Sequence, residues 1–156
     1  MGSLQSIRPS VPVLVCLVIA VMISAFPASP SFGADPSDTV AIRGYDTVAY
    51  FREGRAVRGD RAFSFRWRGY TWLFTSQEYR DLFAASPVMY APQYDGYCAW
   101  AMTEGRKSLT DPEIWKIVNC RLYLNCSRSS FDRWSRDIPG NIKKADAHWA
   151  RLAGGK

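Results

Sequence analysis

The stretch FSFRWRGYTWLFTSQEYRDLFAAS, residues 63–86, decides the fold of this chain. Its first part alternates aromatic and polar side chains, is interrupted at Arg68-Gly69, and then alternates again. Alternation on both sides of a glycine-containing turn predicts a β-hairpin. Ser76 then precedes a segment with apolar residues at helical spacing, and Pro87 follows it, which predicts a capped helix. The stretch therefore predicts a hairpin that leads directly into a helix.

A second hairpin is predicted further along the chain. The stretch IWKIVNCRLYLN, residues 114–125, has two β-branched and aromatic segments separated by Asn119-Cys120. A helix is predicted in SSFDRWSRD, residues 129–137, stopped at Pro139-Gly140, and a last helix follows. No internal repeat is visible in the sequence. Strand pairs and helices that do not alternate strictly indicate an α+β fold with two β-hairpins and about three to four helices.

Two other segments are less regular. The stretch DTVAIRGYDTVAYF, residues 38–51, has short β-branched and aromatic segments broken by Gly44, which predicts a loop leading into a strand. The stretch AWAMTEG, residues 99–105, is compatible with both a helix and a strand.

The N-terminus predicts export. Arg8 precedes an apolar run, residues 11–26, and a stretch of small residues and prolines follows it. This order is typical of a secretory signal peptide. The alternative is an uncleaved anchor, but the run is shorter than the roughly 20 residues that a spanning helix needs. We therefore expect a signal peptide over residues 1–33, one domain over 34–156, no stable membrane span after cleavage, and a periplasmic or secreted protein.

Composition and motifs exclude several classes of function. The formal net charge is +6 at pH 7, but the basic residues are scattered among acidic ones and the chain is predicted to be exported, so we expect no nucleic-acid binding. The single histidine, His148, has no sequence signature of a catalytic partner. No glycine-rich phosphate loop, nucleophile elbow or His-Glu-x-x-His motif is present. The sequence thus favours a function other than catalysis and identifies no partner protein.

The cysteines are the remaining candidates for a reactive or metal-binding site. Cys16 lies in the predicted signal peptide, which leaves Cys98, Cys120 and Cys126. On one extended strand the last two would lie roughly 20 Å apart, whereas a disulfide needs Cα atoms within about 7 Å. A disulfide would therefore join Cys98 to one of the other two, or else all three thiols are reduced and buried. Met102 lies four residues after Cys98, and on a helix the two sulfurs would share a face and suit Cu(I).

Several stretches together resemble the YHS-domain family, in particular its exported bacterial branch. They include IRGYDTVAYF, residues 42–51, and DPEIWKIVNCRLYLN, residues 111–125, and the resemblance runs from about residue 42 to residue 149. YHS domains are similar to small modules that bind heavy metals through cysteines near their start and at a strand-to-helix junction. At the matching junction this chain has Thr75 and Tyr79, so the metal site of those relatives is not carried over.

The resemblance implies a role for Cys98. The exported branch shares GYCA, residues 96–99, and some of its members carry selenocysteine at the Cys98 position. Selenium at that position implies redox or soft-ligand chemistry. Cys120 and Cys126 depart from the branch, which has glycine in the hairpin turn and tyrosine after the second strand. A cysteine tolerates a left-handed turn poorly, so Cys120 puts the turn geometry in doubt.

The first functional hypothesis is a binding module centred on Cys98. In one form, Cys98 and Met102 hold a soft metal ion such as copper. In the other form, Tyr94, Tyr97 and Asp46 contribute to an aromatic-lined site for a small ligand next to Cys98.

Two alternatives remain open. In the first, the protein is a thiol redox protein in which Cys98 is the reactive thiol and cycles with Cys120 or Cys126, or is oxidised by peroxide. In the second, the chain is a structural or partner-binding domain in which Cys98 is buried and only fills the core.

Overall fold

The computed structural model describes residues 39–153, so the predicted signal peptide lies outside the described residues. The strands form two antiparallel hairpins: β1 (Asp60–Trp67) with β2 (Tyr70–Phe74), and β3 (Asp111–Val118) with β4 (Arg121–Asn125). The helices are α1 (Thr47–Arg52), α2 (Gln77–Ala85), α3 (Pro87–Tyr90), α4 (Ala99–Thr103), α5 (Arg128–Ser135) and α6 (Ile138–Ala153). The predicted α+β fold with two hairpins is confirmed. Within residues 39–153 no helix is long and apolar enough to cross a membrane.

Both hairpin turns are left-handed. Arg68 and Gly69 have φ of 51° and 78° in the first turn, and Asn119 and Cys120 have φ of 50° and 59° in the second. Two consecutive residues with positive φ match the twist of the flanking strands, which is why such turns are favoured in tight hairpins. The tight turn therefore forms with Cys120 in a conformation that glycine would adopt at lower cost.

The segment before the first hairpin is a helix, and the prediction of a strand there is wrong. The Asp46 carboxylate accepts hydrogen bonds from the backbone N–H groups of Val48 and Ala49 at 2.8 and 3.2 Å. These bonds satisfy amide donors that the first turn of a helix leaves unpaired, so they outweigh the β propensity of the segment and start α1 at Thr47. The ambiguous segment from Ala99 is also helical, as α4.

The end of the chain differs from the prediction in one detail. Pro139-Gly140 does not stop a helix: α5 already ends at Ser135, and α6 begins at Ile138 and contains both residues. Proline is accepted in the first turn of a helix because the N–H group that it lacks would have no partner there. The predicted last helix is present as α6, and its Ile142, Ala145 and Trp149 pack in one cluster.

The two hairpins belong to two halves with the same architecture, residues 41–85 and 93–135. Each half consists of a turn with three consecutive residues of positive φ, a short helix, a hairpin and a longer helix. Asp60 pairs with Phe74 in the first hairpin and Asp111 pairs with Asn125 in the second, and both hairpins shift register after that pair. The fold is therefore an internal repeat, which corrects the sequence interpretation.

Matching hydrogen bonds show which residues of the two halves occupy equivalent positions. The Asp46 N–H donates to the Val57 carbonyl at 2.8 Å, and the Cys98 N–H donates to the Ser108 carbonyl at 3.0 Å. The helix that follows each hairpin is capped by a serine: the hydroxyl oxygens of Ser76 and Ser127 accept from the amides three residues later. Asp46 thus corresponds to Cys98, and the residues before the two serines, Thr75 and Cys126, correspond to each other.

Each half has an aromatic core, and a third cluster joins the halves. Phe83 of α2 and Trp134 of α5 occupy equivalent positions and are both fully buried. Tyr50 of α1 packs edge-on against Trp115 of β3, with ring centroids 5.0 Å apart, and its hydroxyl donates to the Pro112 carbonyl at 2.9 Å. The short helix of the first half is thus held on the hairpin of the second.

Asp46 links helix α1 to the end of β2. It is fully buried, and its second oxygen accepts from the N–H and hydroxyl groups of Thr75 at 2.7 and 2.9 Å. We expect Asp46→Ala to lower the free energy of unfolding by about 3 kcal/mol or more, because it leaves buried donors without an acceptor. Urea unfolding followed by tryptophan fluorescence measures this loss.

Asp60→Ala is the matched control. Asp60 is exposed and its carboxylate accepts one local hydrogen bond, from the Ala62 amide at 2.8 Å. We expect its loss to cost less than about 1 kcal/mol. Equal losses for the two variants would contradict the linking role of Asp46.

Candidate functional site

Cys98 and Cys126 come together where β4 ends and α4 begins. Cys98 is the residue that precedes α4, and Cys126 directly follows β4. Their Sγ atoms lie 3.0 Å apart. Cys98 is fully buried, whereas Cys126 is partly exposed. The repeat explains this meeting, because Asp46 and Thr75 meet in the same way in the first half.

Hydrogen bonds fix both sulfurs. The backbone N–H of Cys126 donates to Cys98 Sγ at 3.1 Å, which matches the bond from the Thr75 amide to the Asp46 carboxylate. Cys126 Sγ lies 3.2 Å from the hydroxyl oxygen of Ser130, in the first turn of α5. The pair thus bridges the start of α4 and the start of α5.

The two thiols differ in acidity. Burial, together with the hydrogen bond to Cys126, raises the pKa of Cys98 to about 11. Burial also acts to raise the pKa of Cys126, but hydrogen bonds from Cys98, Ser130 and Ser108 outweigh it and hold this pKa below the ordinary value for a thiol. When the pair loses one proton, the negative charge is therefore favoured on the partly exposed Cys126 sulfur rather than on Cys98.

The other residues predicted for the Cys98 site lie elsewhere or have structural contacts. Met102 is fully buried in the cluster that includes Trp134. Asp46 holds the start of α1 and the end of β2. The Tyr94 hydroxyl donates to Asp146 at 2.9 Å.

Tyr94 and Tyr97 line a cleft of about 660 Å³. It lies between the left-handed turns that precede Asp46 and Cys98. Among the described residues that line this cleft are neither of the paired cysteines, nor Met102, nor Asp46. Lys107 lies over the Tyr97 ring, 5.4 Å from its centroid. The aromatic cleft and the cysteine pair are thus two separate places in the fold.

Sequence analysis left open which cysteine accompanies Cys98. The sequence carries a signal for Cys126, since Cys126-Ser127 follows the second hairpin as Thr75-Ser76 follows the first. This correspondence is visible only once both hairpins are aligned by their register. His148 takes no part in the pair: its Nδ1 lies 2.8 Å from Nη2 of Arg151 on α6.

Comparison of the chain with protein-family models, with curated proteins and with solved structures finds no match. Within residues 39–153, no group of three or more histidine, cysteine or carboxylate side chains is placed to hold a metal ion. Function is therefore inferred from the geometry of the cysteine pair.

Removing the Cys98 thiol tests the origin of the acidity of Cys126. In a Cys16→Ser, Cys120→Ser background, we expect Cys98→Ala to slow alkylation of Cys126 at pH 7 by about tenfold, because one hydrogen bond to the thiolate is lost. The pH profile of iodoacetamide labelling, read by mass spectrometry, gives the rate and the midpoint.

Cys98→Ser is the control, because its hydroxyl retains a donor of similar size. We expect its pH midpoint to stay closer to that of the unsubstituted pair than the midpoint of Cys98→Ala. Identical profiles for the two variants would contradict a direct hydrogen bond between the cysteines.

Proposed function

We propose that this protein is a thiol–disulfide redox protein whose reactive pair is Cys98 and Cys126. The observation that carries the proposal is the 3.0 Å separation of the two Sγ atoms in one site. The proposal gives the attacking role to Cys126, whereas the sequence hypothesis had given it to Cys98. The reason is that a reactive thiol has to be exposed and ionised, and Cys126 satisfies both conditions better.

The difference between the thiols supports a two-step exchange. The Cys126 thiolate attacks one sulfur of a substrate disulfide, forms a mixed disulfide and releases the other sulfur as a thiolate. Cys98 then loses its proton to that leaving thiolate and attacks Cys126 Sγ. The internal disulfide forms and the second substrate thiol departs, so the substrate gains the two electrons that the pair loses. The buried Cys98 thus acts as the resolving thiol.

The distance between the sulfurs fits this chemistry better than metal binding. A disulfide has an S–S bond of about 2.0 Å, so the sulfurs need to approach by about 1 Å. Two thiolates on one tetrahedral metal, each about 2.3 Å from it, lie about 3.8 Å apart. The pair would have to open to admit an ion.

A soft metal site of copper type at the same two sulfurs is the second candidate. It is favoured by the meeting of two thiols, one of them partly exposed, because thiolates prefer Cu(I). In this candidate Cys126 replaces Met102 as the partner of Cys98.

The predicted location is compatible with either candidate. We propose that the chain is an exported member of the YHS-domain family, as its motifs and its predicted signal peptide suggest. An oxidising compartment permits disulfide formation. In a purely structural or partner-binding domain, the third possibility, the two sulfurs would meet without reacting.

Controlled oxidation tests the redox proposal. In the Cys16→Ser, Cys120→Ser background, we expect oxidised glutathione to convert the pair to an internal disulfide, with a mass loss of two hydrogens that reductant reverses. Cys126→Ser should abolish the reaction, and Cys98→Ser should trap a glutathione adduct on Cys126. Two thiols that stay reduced, or a stable adduct in the presence of Cys98, would refute the exchange.

Copper titration tests the second candidate, a Cu(I) site at the two sulfurs. If the pair holds Cu(I), a competition assay with a chromophoric chelator should give one bound ion per chain, and either Cys98→Ala or Cys126→Ala should remove it. Met102→Leu, which keeps the core volume, should have no effect. Loss of binding in both Cys98→Ala and Met102→Leu, with binding retained in Cys126→Ala, would instead favour the original pairing of Cys98 with Met102.

A further inference from the structure

We infer that Asn125 determines which cysteine of the pair keeps the proton, and thus which one attacks. Asn125 is a positioning residue in this inference, because it acts on Cys98 rather than on substrate. The inference rests on the proposed redox function and names how its two thiols are distinguished. The two halves differ at the junction where a strand ends and a short helix begins.

Equivalent backbone N–H groups at the two junctions donate to different acceptors. In the first half, the N–H group two residues after Asp46, that of Val48, donates to the Asp46 carboxylate at 2.8 Å. In the second half, the N–H group two residues after Cys98, that of Trp100, donates to the Asn125 side-chain oxygen at 3.1 Å. Asn125 therefore takes from Cys98 a donor that would stabilise a negative charge on its sulfur.

The same oxygen also faces the sulfur directly. Asn125 Oδ1 lies 3.8 Å from Cys98 Sγ, so its partial negative charge repels a thiolate at Cys98, whose single thiol hydrogen is donated to Cys126 Sγ at 3.0 Å. At the equivalent place the first half has Phe74, which offers no oxygen. Both effects favour the protonated form of Cys98 and leave the charge on Cys126.

The buried amide of Asn125 is expected to destabilise the core. Asn125 is fully buried, and among the described residues its Nδ2 has no hydrogen-bond partner. Burying an amide donor without a partner destabilises a fold, so an apolar residue of similar size would pack better here. The presence of a buried amide beside Cys98 is explained if it acts on the thiols.

Asn125→Leu tests the inference, again in the Cys16→Ser, Cys120→Ser background. The substitution keeps the number and branching of the side-chain heavy atoms, removes the oxygen and frees the Trp100 N–H group to donate to Cys98. We expect Cys126 alkylation at pH 7 to slow by about tenfold and its pH midpoint to rise, while stability to urea is unchanged or greater. A purely structural role would lower stability and leave the pH profile unmoved.

Phe74→Leu is the matched control, because it changes the equivalent core position in the half without cysteines. It should lower stability without changing the labelling of Cys126. If Asn125→Leu does not fold, Asn125→Ala removes the same oxygen and should give the same change in the pH profile.

The outcomes separate this inference from the redox proposal. If the pair of the unsubstituted protein forms the reversible disulfide but Asn125→Leu and Asn125→Ala keep its labelling profile, the role of Asn125 is refuted and the redox function stands. If the unsubstituted pair does not form the disulfide, the redox proposal itself fails.

Discussion

The junction between the end of each hairpin and the start of a short helix is the contact on which both halves depend. In the first half, one buried carboxylate, that of Asp46, accepts from the first turn of α1 and from Thr75 at the end of β2. A short helix has too few internal hydrogen bonds to persist alone, so it needs such an anchor. The left-handed turns before Asp46 and Cys98 direct the chain into this position, and the aromatic cores then form on either side.

The second half keeps the backbone of this junction and changes its chemistry. Sulfur replaces oxygen at both positions, with Cys98 in place of Asp46 and Cys126 in place of Thr75. The Cys126 amide, which corresponds to the Thr75 amide that donates to the carboxylate in the first half, thus donates to a thiol in the second. A site with fixed amide donors and two sulfurs in contact is suited to sharing one proton and exchanging electrons, which a carboxylate–hydroxyl pair is not able to do.

The elements that were predicted correctly are those that depend on the pattern of neighbouring residues. Both hairpins and helix α2 follow from alternation, turn residues and the Ser76 cap, which involve neighbours in the chain. Helix α1 was missed because its start depends on Asp46, whose acceptors are also used by Thr75, 29 residues away. The cysteine pair joins residues 28 apart, and Cys98 alone does not identify its partner. The repeat was hidden because its equivalent positions carry chemically different side chains, such as Asp46 and Cys98 or Phe74 and Asn125.

The change to sulfur weakens the anchor of α4, since a thiol is a poorer hydrogen-bond acceptor than a carboxylate. In the second half, buried apolar contacts from another helix stabilise α4 instead. Helix α6, which has no counterpart in the first half among the described residues, packs Ala145 and Ile142 into the cluster that contains Ala99 and Met102 of α4. Burial of this apolar surface stabilises α4 without hydrogen bonds to the sulfurs. The thiols thereby carry less of the structural role that Asp46 performs, and Met102 is needed as a core residue whatever the pair binds or transfers.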